Sequence, residues 1–201
     1  KAKNIILLED CAHSFGSTLN KKFAGTFGDA GVYSYYSTKA IFAGEGGVVV
    51  TKDNDLAKLL KDYIAYDRFN RKMEIGCNIR LPELQALMIF SVVKEYKEII
   101  KNKFETARKY VDICNTLKLK YINQNNSSLM GNYYKFTIIS PSKNISDFLP
   151  KIKTTTSKVY DYSLGKSSEI PKKHLCLPIW YELEETTSDK VISEIKESVE
   201  L

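Results

Sequence analysis

The sequence predicts an α/β fold: a mixed, mainly parallel sheet with covering helices, followed by a small α+β domain. Three observations carry that prediction. Asn4 to Asp10 reads NIILLED, an apolar run closed by two carboxylates, which is the pattern of a buried strand in a parallel sheet. Val32 to Tyr36 and Val48 to Thr51 are β-branched or aromatic runs on either side of a Gly-Glu-Gly-Gly turn at Gly44 to Gly47. Downstream of them, apolar residues recur at helical spacing. The 201 residues give room for one or two domains with a sizeable core, and we place the division between 1–103 and 104–201.

The elements follow in order. Cys11 to Phe27 is a connection with turn signals at Leu19 to Lys22 and Thr26 to Asp29, and its middle predicts a hairpin with arms Ser17 to Leu19 and Lys22 to Ala24. After the Val48 strand, Asp53 or Asn54 caps a helix over Asp55 to Tyr66, with Leu56, Leu59, Leu60, Tyr63 and Ile64 on its apolar stripe. Asp67 to Asn78 is polar and irregular, a loop holding Arg68, Arg71 and Lys72. Pro82 opens a long helix whose pattern, Leu84, Leu87, Met88, Val92, Tyr96 and Ile99, persists to about Leu117 with a break near Tyr96 to Asn102.

In the remainder, Asn123 to Gly131 reads as turn, Tyr133 to Ser140 as a strand, Ser146 to Lys153 as a short helix and Thr154 to Tyr162 as a strand. Ser188 is placed to cap a final amphipathic helix bearing Val191, Ile192, Ile195 and Val199. His174 reads as structural or exposed rather than catalytic. Tyr160 and Tyr162 suit strand packing as well as a face toward a substrate.

Composition excludes several classes of function. With 43% hydrophobic and 27% charged residues, the chain is ordinary for a soluble globular protein. No apolar run approaches the roughly 20 residues that span a bilayer, and the apolar core of Lys1 to Leu8 is too short for a signal peptide. The net charge of +6 comes from basic residues interleaved with acidic ones, as in Lys94 to Lys103, which describes solvated helix faces rather than a nucleic-acid surface. Four scattered cysteines without a CxxC pair, and only two histidines, suggest neither a disulfide framework nor a metal site, and the thiols fit a reducing cytoplasm.

One constellation points to chemistry. Lys39 lies between the two runs around the glycine turn, followed by Ala40 to Ala43, and an apolar setting favours the neutral amine that a carbonyl-trapping nucleophile needs. Most of the 30 lysines and arginines must be solvated, so the setting alone does not single it out. The upstream strand adds weight. Ligand sites in open α/β sheets lie outside the carboxyl ends of the strands, so Asp10 and Lys39 are expected on one sheet edge. His13 follows Asp10 by three residues and Ser34 precedes Lys39 by five. A buried acid, an imidazole, a hydroxyl and a lysine are what a pyridoxal 5'-phosphate site requires.

Three segments, EDCAHSFGS (Glu9 to Ser17), FGDAGVYSYYSTKAIFAGEGGVVVT (Phe27 to Thr51) and IGCNIRLPELQA (Ile75 to Ala86), occur in the order in which the DegT/DnrJ/EryC1/StrS sugar aminotransferases carry them, and the chain resembles that family. The resemblance implies the aspartate-aminotransferase fold type, with 1–103 as part of the large cofactor-binding domain and 104–201 as the small domain. It implies that Lys39 is the Schiff-base lysine and that Asp10 pairs with the pyridine nitrogen. It further implies that His13 lies against the cofactor ring near its phenolic oxygen and that Ser34 binds its phosphate. Asn78 matches an asparagine that reaches the phosphate from a neighbouring subunit, hence a homodimer with shared active sites. The implied reaction moves an amino group from an amino acid, expected to be glutamate, to a keto-sugar, expected to be nucleotide-linked. Related sugar dehydratases carry histidine where this chain has Lys39. Members also have a long stretch before the acid motif, with phosphate-binding amides and a ring-stacking aromatic. The alternatives are therefore a non-catalytic remnant or one half of a split enzyme whose other half is a separate chain.

Overall fold

The structure is a computed structural model that describes residues 5–65, 76–140, 144–154, 156–158 and 170–199. The chain runs through β1 (Leu8–Asp10), β2 (Thr18–Leu19), β3 (Lys22–Phe23), β4 (Ala30–Ser34), β5 (Gly47–Thr51), α1 (Asn54–Ile64), α2 (Glu83–Lys94) and α3 (Tyr96–Thr116). It continues through β6 (Lys120–Tyr121), β7 (Leu129–Met130), β8 (Phe136–Ile139), α4 (Ile145–Phe148), β9 (His174–Leu177) and α5 (Glu185–Val199). Two compact units form, one from Lys1–Lys97 with Ser127–Gly131, the other from Glu98–Asn126 with Asn132–Leu201.

The first unit is built on a mixed sheet, β1-β4-β5, in which β1 runs parallel and β5 antiparallel to β4. The expectation of a buried strand over Asn4 to Asp10 is corrected here. The ladder starts only at Leu8, and Ile5 to Leu8 are 51–78% exposed. The reason is positional: β1 is the edge strand of this sheet, and an apolar sequence pattern cannot say whether its covering layer lies in the same segment. On β4 the alternation is clear. Tyr33 and, just beyond the strand, Tyr35 are buried and meet Phe15 at ring-centroid distances of 5.2 and 5.7 Å, while Val32 is exposed.

The hairpin forms as expected, with Asn20 and Lys21 at φ 50° and 63°, the left-handed pair that matches strand twist. Its β2 also pairs with β7, two residues within the stretch read from sequence as turn. A two-residue strand has no periodicity to detect. Asp53 caps α1, its Oδ1 accepting from the N–H groups of Asp55 and Leu56 at 2.9 and 3.0 Å. Pro82, which offers no N–H, stands at the start of α2, and the long helix breaks at Glu95.

The second unit packs helices on the antiparallel sheet β6-β8-β9. Tyr110, Phe136, Ile138, Val191 and Ile195 form the centre of its core. The long helix α3 holds the segment after β9 through polar anchors. Lys103 Nζ donates to the Ile179 carbonyl at 3.2 Å and Tyr110 Oη donates to the Pro178 carbonyl at 2.9 Å. Burial pushes the Lys103 ammonium down to about 8.

His174 is buried in β9. Ser188 does not cap α5. It lies inside that helix, buried, with its Oγ donating to the Glu185 carbonyl at 2.8 Å. The helix starts earlier, at Glu185, where an acidic side chain is favoured by the helix dipole. The short helix α4 covers only Ile145–Phe148, and the Ser146 to Lys153 expectation ends in a turn. Glu194 of α5 accepts from the N–H groups of Lys153 and Thr154 at 3.0 and 2.9 Å and so fixes that turn. Of the strand expected over Thr154 to Tyr162, Ser157 makes a bridge to Cys176, whereas Tyr160 and Tyr162, like Arg68, Arg71 and Lys72, lie outside the described residues.

Candidate active site

The site starts from register. Asp10 is the last residue of β1 and pairs with Val32 of β4. Side chains two apart on a strand share a face, so Asp10, Val32 and Ser34 stand on one side of the sheet, with Ser34 about 7 Å beyond Val32 along β4. Tyr33 points to the opposite, buried side. Asp10 is exposed, which corrects the expectation of a buried acid. Its Oδ1 accepts from the N–H of Ala12 at 3.0 Å, and this turn carries the chain out of β1 toward His13, which is half-buried. Ser34 is half-buried, with its Oγ accepting from the Tyr36 N–H at 3.3 Å.

Lys39 stands on the loop that leaves β4. The loop is a closed arch: Tyr35 N–H donates to the Gly46 carbonyl, Ala43 N–H to the Tyr35 carbonyl and Ser37 N–H to the Gly44 carbonyl, each at 2.9 Å. Lys39 N–H completes a turn to the Tyr36 carbonyl, also at 2.9 Å. The lysine is half-buried and is followed by Ala40, Ile41 and Ala43, all buried. Two glycines let the arch return. Gly44 and Gly46 take φ of +88° and +129°, and a Cβ on Gly46 would lie 2.8 Å from Ile89 Cδ1. The far arm of the arch is also held by Gln85, whose Nε2 donates to the Ala43 carbonyl.

Asp10 and Ser34 are thus brought to one sheet face, with Lys39 on the loop that follows Ser34. Asn78 is not on that sheet edge. It lies on the exposed segment before α2, where Arg80 Nε donates to its Oδ1 at 3.2 Å.

Sequence reasoning assigned no role to two residues of consequence. One is Gln85. The other is Glu9, whose carboxylate accepts from the N–H groups of Gly25, Phe27 and Gly28 at 2.7, 2.6 and 2.6 Å. Burial raises its pKa, but the three backbone donors outweigh burial and hold it below the ordinary glutamate value. Glu9 thereby ties the loop ahead of β4 to β1, next to Asp10. Only a strand-end carboxylate followed by a glycine-bearing turn hinted at it.

The donor set fits pyridoxal phosphate: an amine for its aldehyde carbon, a carboxylate for its ring nitrogen, a hydroxyl for its phosphate and an imidazole one turn from the acid. Among the described residues no group of three or more His, Cys, Asp or Glu side chains could hold a metal ion, and no helix is long and apolar enough to cross a membrane.

Comparison with known proteins identifies the class. The DegT/DnrJ/EryC1/StrS aminotransferase family matches residues 1–196, and the chain belongs to that family. GDP-perosamine synthase of Escherichia coli O157:H7 is 30% identical over 144 residues, covering 70% of this chain and 39% of that protein. The dTDP-3-amino-3,4,6-trideoxy-alpha-D-glucose transaminase of Micromonospora megalomicea subsp. nigra is 32% identical over 114 residues, 55% of this chain and 30% of that one. The fold matches the crystal structure of a DegT DnrJ EryC1 StrS aminotransferase from Brucella abortus with a TM-score of 0.85 at 20% identity, over 98% of this chain and 58% of that one. The chain therefore spans less than two thirds of each of these proteins.

Proposed function

We propose that this chain is the lysine-bearing part of a pyridoxal-phosphate-dependent aminotransferase that places an amino group on a nucleotide-linked keto-sugar, with glutamate as donor. The observation that carries the reading is the meeting of Asp10 and Ser34 on one sheet face with Lys39 on the arch that follows, within a chain matched by the family over residues 1–196. The names of two relatives, one built on GDP and one on dTDP, support a nucleotide sugar as substrate.

When bound, pyridoxal phosphate supplies an electron sink that stabilises negative charge at the substrate's α-carbon. The residues of this chain do the rest. Lys39 would attach the cofactor through its amine and, once released, would move a proton from that α-carbon to the cofactor's C4′ carbon, acting first as general base and then as general acid. Asp10 keeps the ring nitrogen protonated, a task for an ionised carboxylate. Ser34 binds the phosphate and His13 lies by the ring's phenolic oxygen. Asn78, on its exposed segment, reaches the phosphate of a neighbouring subunit, which makes the enzyme a homodimer with shared sites. The exposed Ile5 to Leu7 ahead of the edge strand, with Leu8 at its start, support a further part of the reading: polypeptide beyond this segment, in the same chain or a separate one, covers this edge and completes the phosphate site.

The test is amino transfer by the complete protein. With pyridoxal phosphate, 15N-labelled glutamate and a panel of nucleotide-linked 4-keto and 3-keto sugars, mass spectrometry should find 15N in an amino-sugar product. Tight cofactor binding without transfer to any keto-sugar would contradict the substrate class.

A further inference from the structure

We propose that Gln85 is a positioning residue for Lys39: its side-chain amide clamps the far arm of the arch and so fixes where the lysine stands. The inference rests on the reading of Lys39 as the cofactor-bearing amine.

The geometry is a short chain of contacts. Gln85 and Ile89 lie four apart on one face of α2, Leu81 stands just before that helix, and all three address the returning arm. Leu81 Cδ1 and Ile89 Cδ1 lie 3.1 and 2.8 Å from where a Cβ on Gly46 would be, so apolar side chains close over that glycine. Between them the Gln85 amide donates to the Ala43 carbonyl. Gly44, the next residue, accepts from the Ser37 N–H at 2.9 Å, and Ser37 stands two residues before Lys39. The path from clamp to lysine is therefore Gln85 to Ala43, across the Gly44–Ser37 bond, and along the backbone to Lys39.

The polar clamp acts where the backbone most needs one. Gly44 at φ +88° is exposed and has no side chain to pack, so the arm around it would otherwise sample several conformations. A glutamine provides a directional donor without a charge. A leucine there would fill the space and leave the carbonyl without it. A glutamate would set a carboxylate against a carbonyl unless the carboxyl carries a proton.

The experiment uses the complete protein with Gln85→Leu and Gln85→Glu, and two readouts. The first is amide hydrogen exchange, followed by mass spectrometry. Exchange over residues 36–46 should rise about tenfold in both variants at neutral pH, the scale set by losing one hydrogen bond, while β4 and α2 keep wild-type exchange. The second is borohydride fixation of pyridoxal phosphate. Label at Lys39 should fall in both variants at neutral pH and return in Gln85→Glu as pH drops through its carboxyl pKa, with no such return in Gln85→Leu. Should Gln85→Leu fail to fold, the pH-dependent recovery of Gln85→Glu still decides the matter. Wild-type label at Lys39 with unchanged exchange or unchanged labelling in the variants would overturn the inference alone. Absence of label at Lys39 in the wild type would overturn the proposed function, and the positioning role with it.

Discussion

Asp10 is the residue on which the reading of the site is most exposed. Its carboxylate makes one local hydrogen bond, to Ala12 N–H, and otherwise faces outward from the sheet. An asparagine keeps an oxygen for that turn, so Asp10→Asn should leave folding intact and still permit cofactor binding. It should lower transamination by about 100-fold or more, because an amide cannot hold the ring-nitrogen proton as a carboxylate does. Measured together, cofactor absorbance and transfer rate check this; a rate near wild type would make Asp10 no more than a turn residue. Asp10, Ser34 and Lys39 could be grouped as candidates from sequence because each sits within a local pattern of strand end, hydroxyl and small residues. Glu9 and Gln85 could not, because their partners lie 16 to 19 and 42 residues away. A hydrogen bond of that sequence separation exists only once the fold is known.

At the scale of elements, the arch between β4 and β5 is the unit that matters, and its glycines differ in what they tolerate. Gly46 combines a φ of +129° with a Cβ position 2.8 Å from Ile89 Cδ1. Gly46→Ala should therefore lower stability by about 1–3 kcal/mol through backbone strain, with crowding added. It should also disturb labelling at Lys39. Urea denaturation and label yield would check both, and a neutral substitution would show that the arch is looser than its hydrogen bonds indicate. The helices were legible because apolar spacing and the Asp53 and Pro82 signals agree. Ser188 misled because a serine three residues before an apolar run looks like a cap wherever the helix truly begins, and here it begins at Glu185. The pairing of β7 with β2 could not be read at all, since two residues carry no alternation.

On the whole-molecule scale, the apolar pattern predicted burial that this segment does not supply. Ile5 to Leu7 lie bare ahead of the edge strand, as does Leu8 at its start, and α2 exposes Leu84 at 73% and Phe90 at 58%. Apolar residues in a strand or all round a helix specify that something covers them without specifying which polypeptide does so. The chain's share of its relatives, 39% of one and 58% of another, is consistent with cover coming from outside residues 1–201. The chemistry nevertheless turns on one atom, Lys39 Nζ. In the complete protein, pyridoxal phosphate reduced in place with borohydride should leave its label on the peptide carrying Lys39, in one-to-one amount with protein and abolished in Lys39→Ala. Label on a different lysine, or equal labelling of Lys39→Ala, would contradict the account.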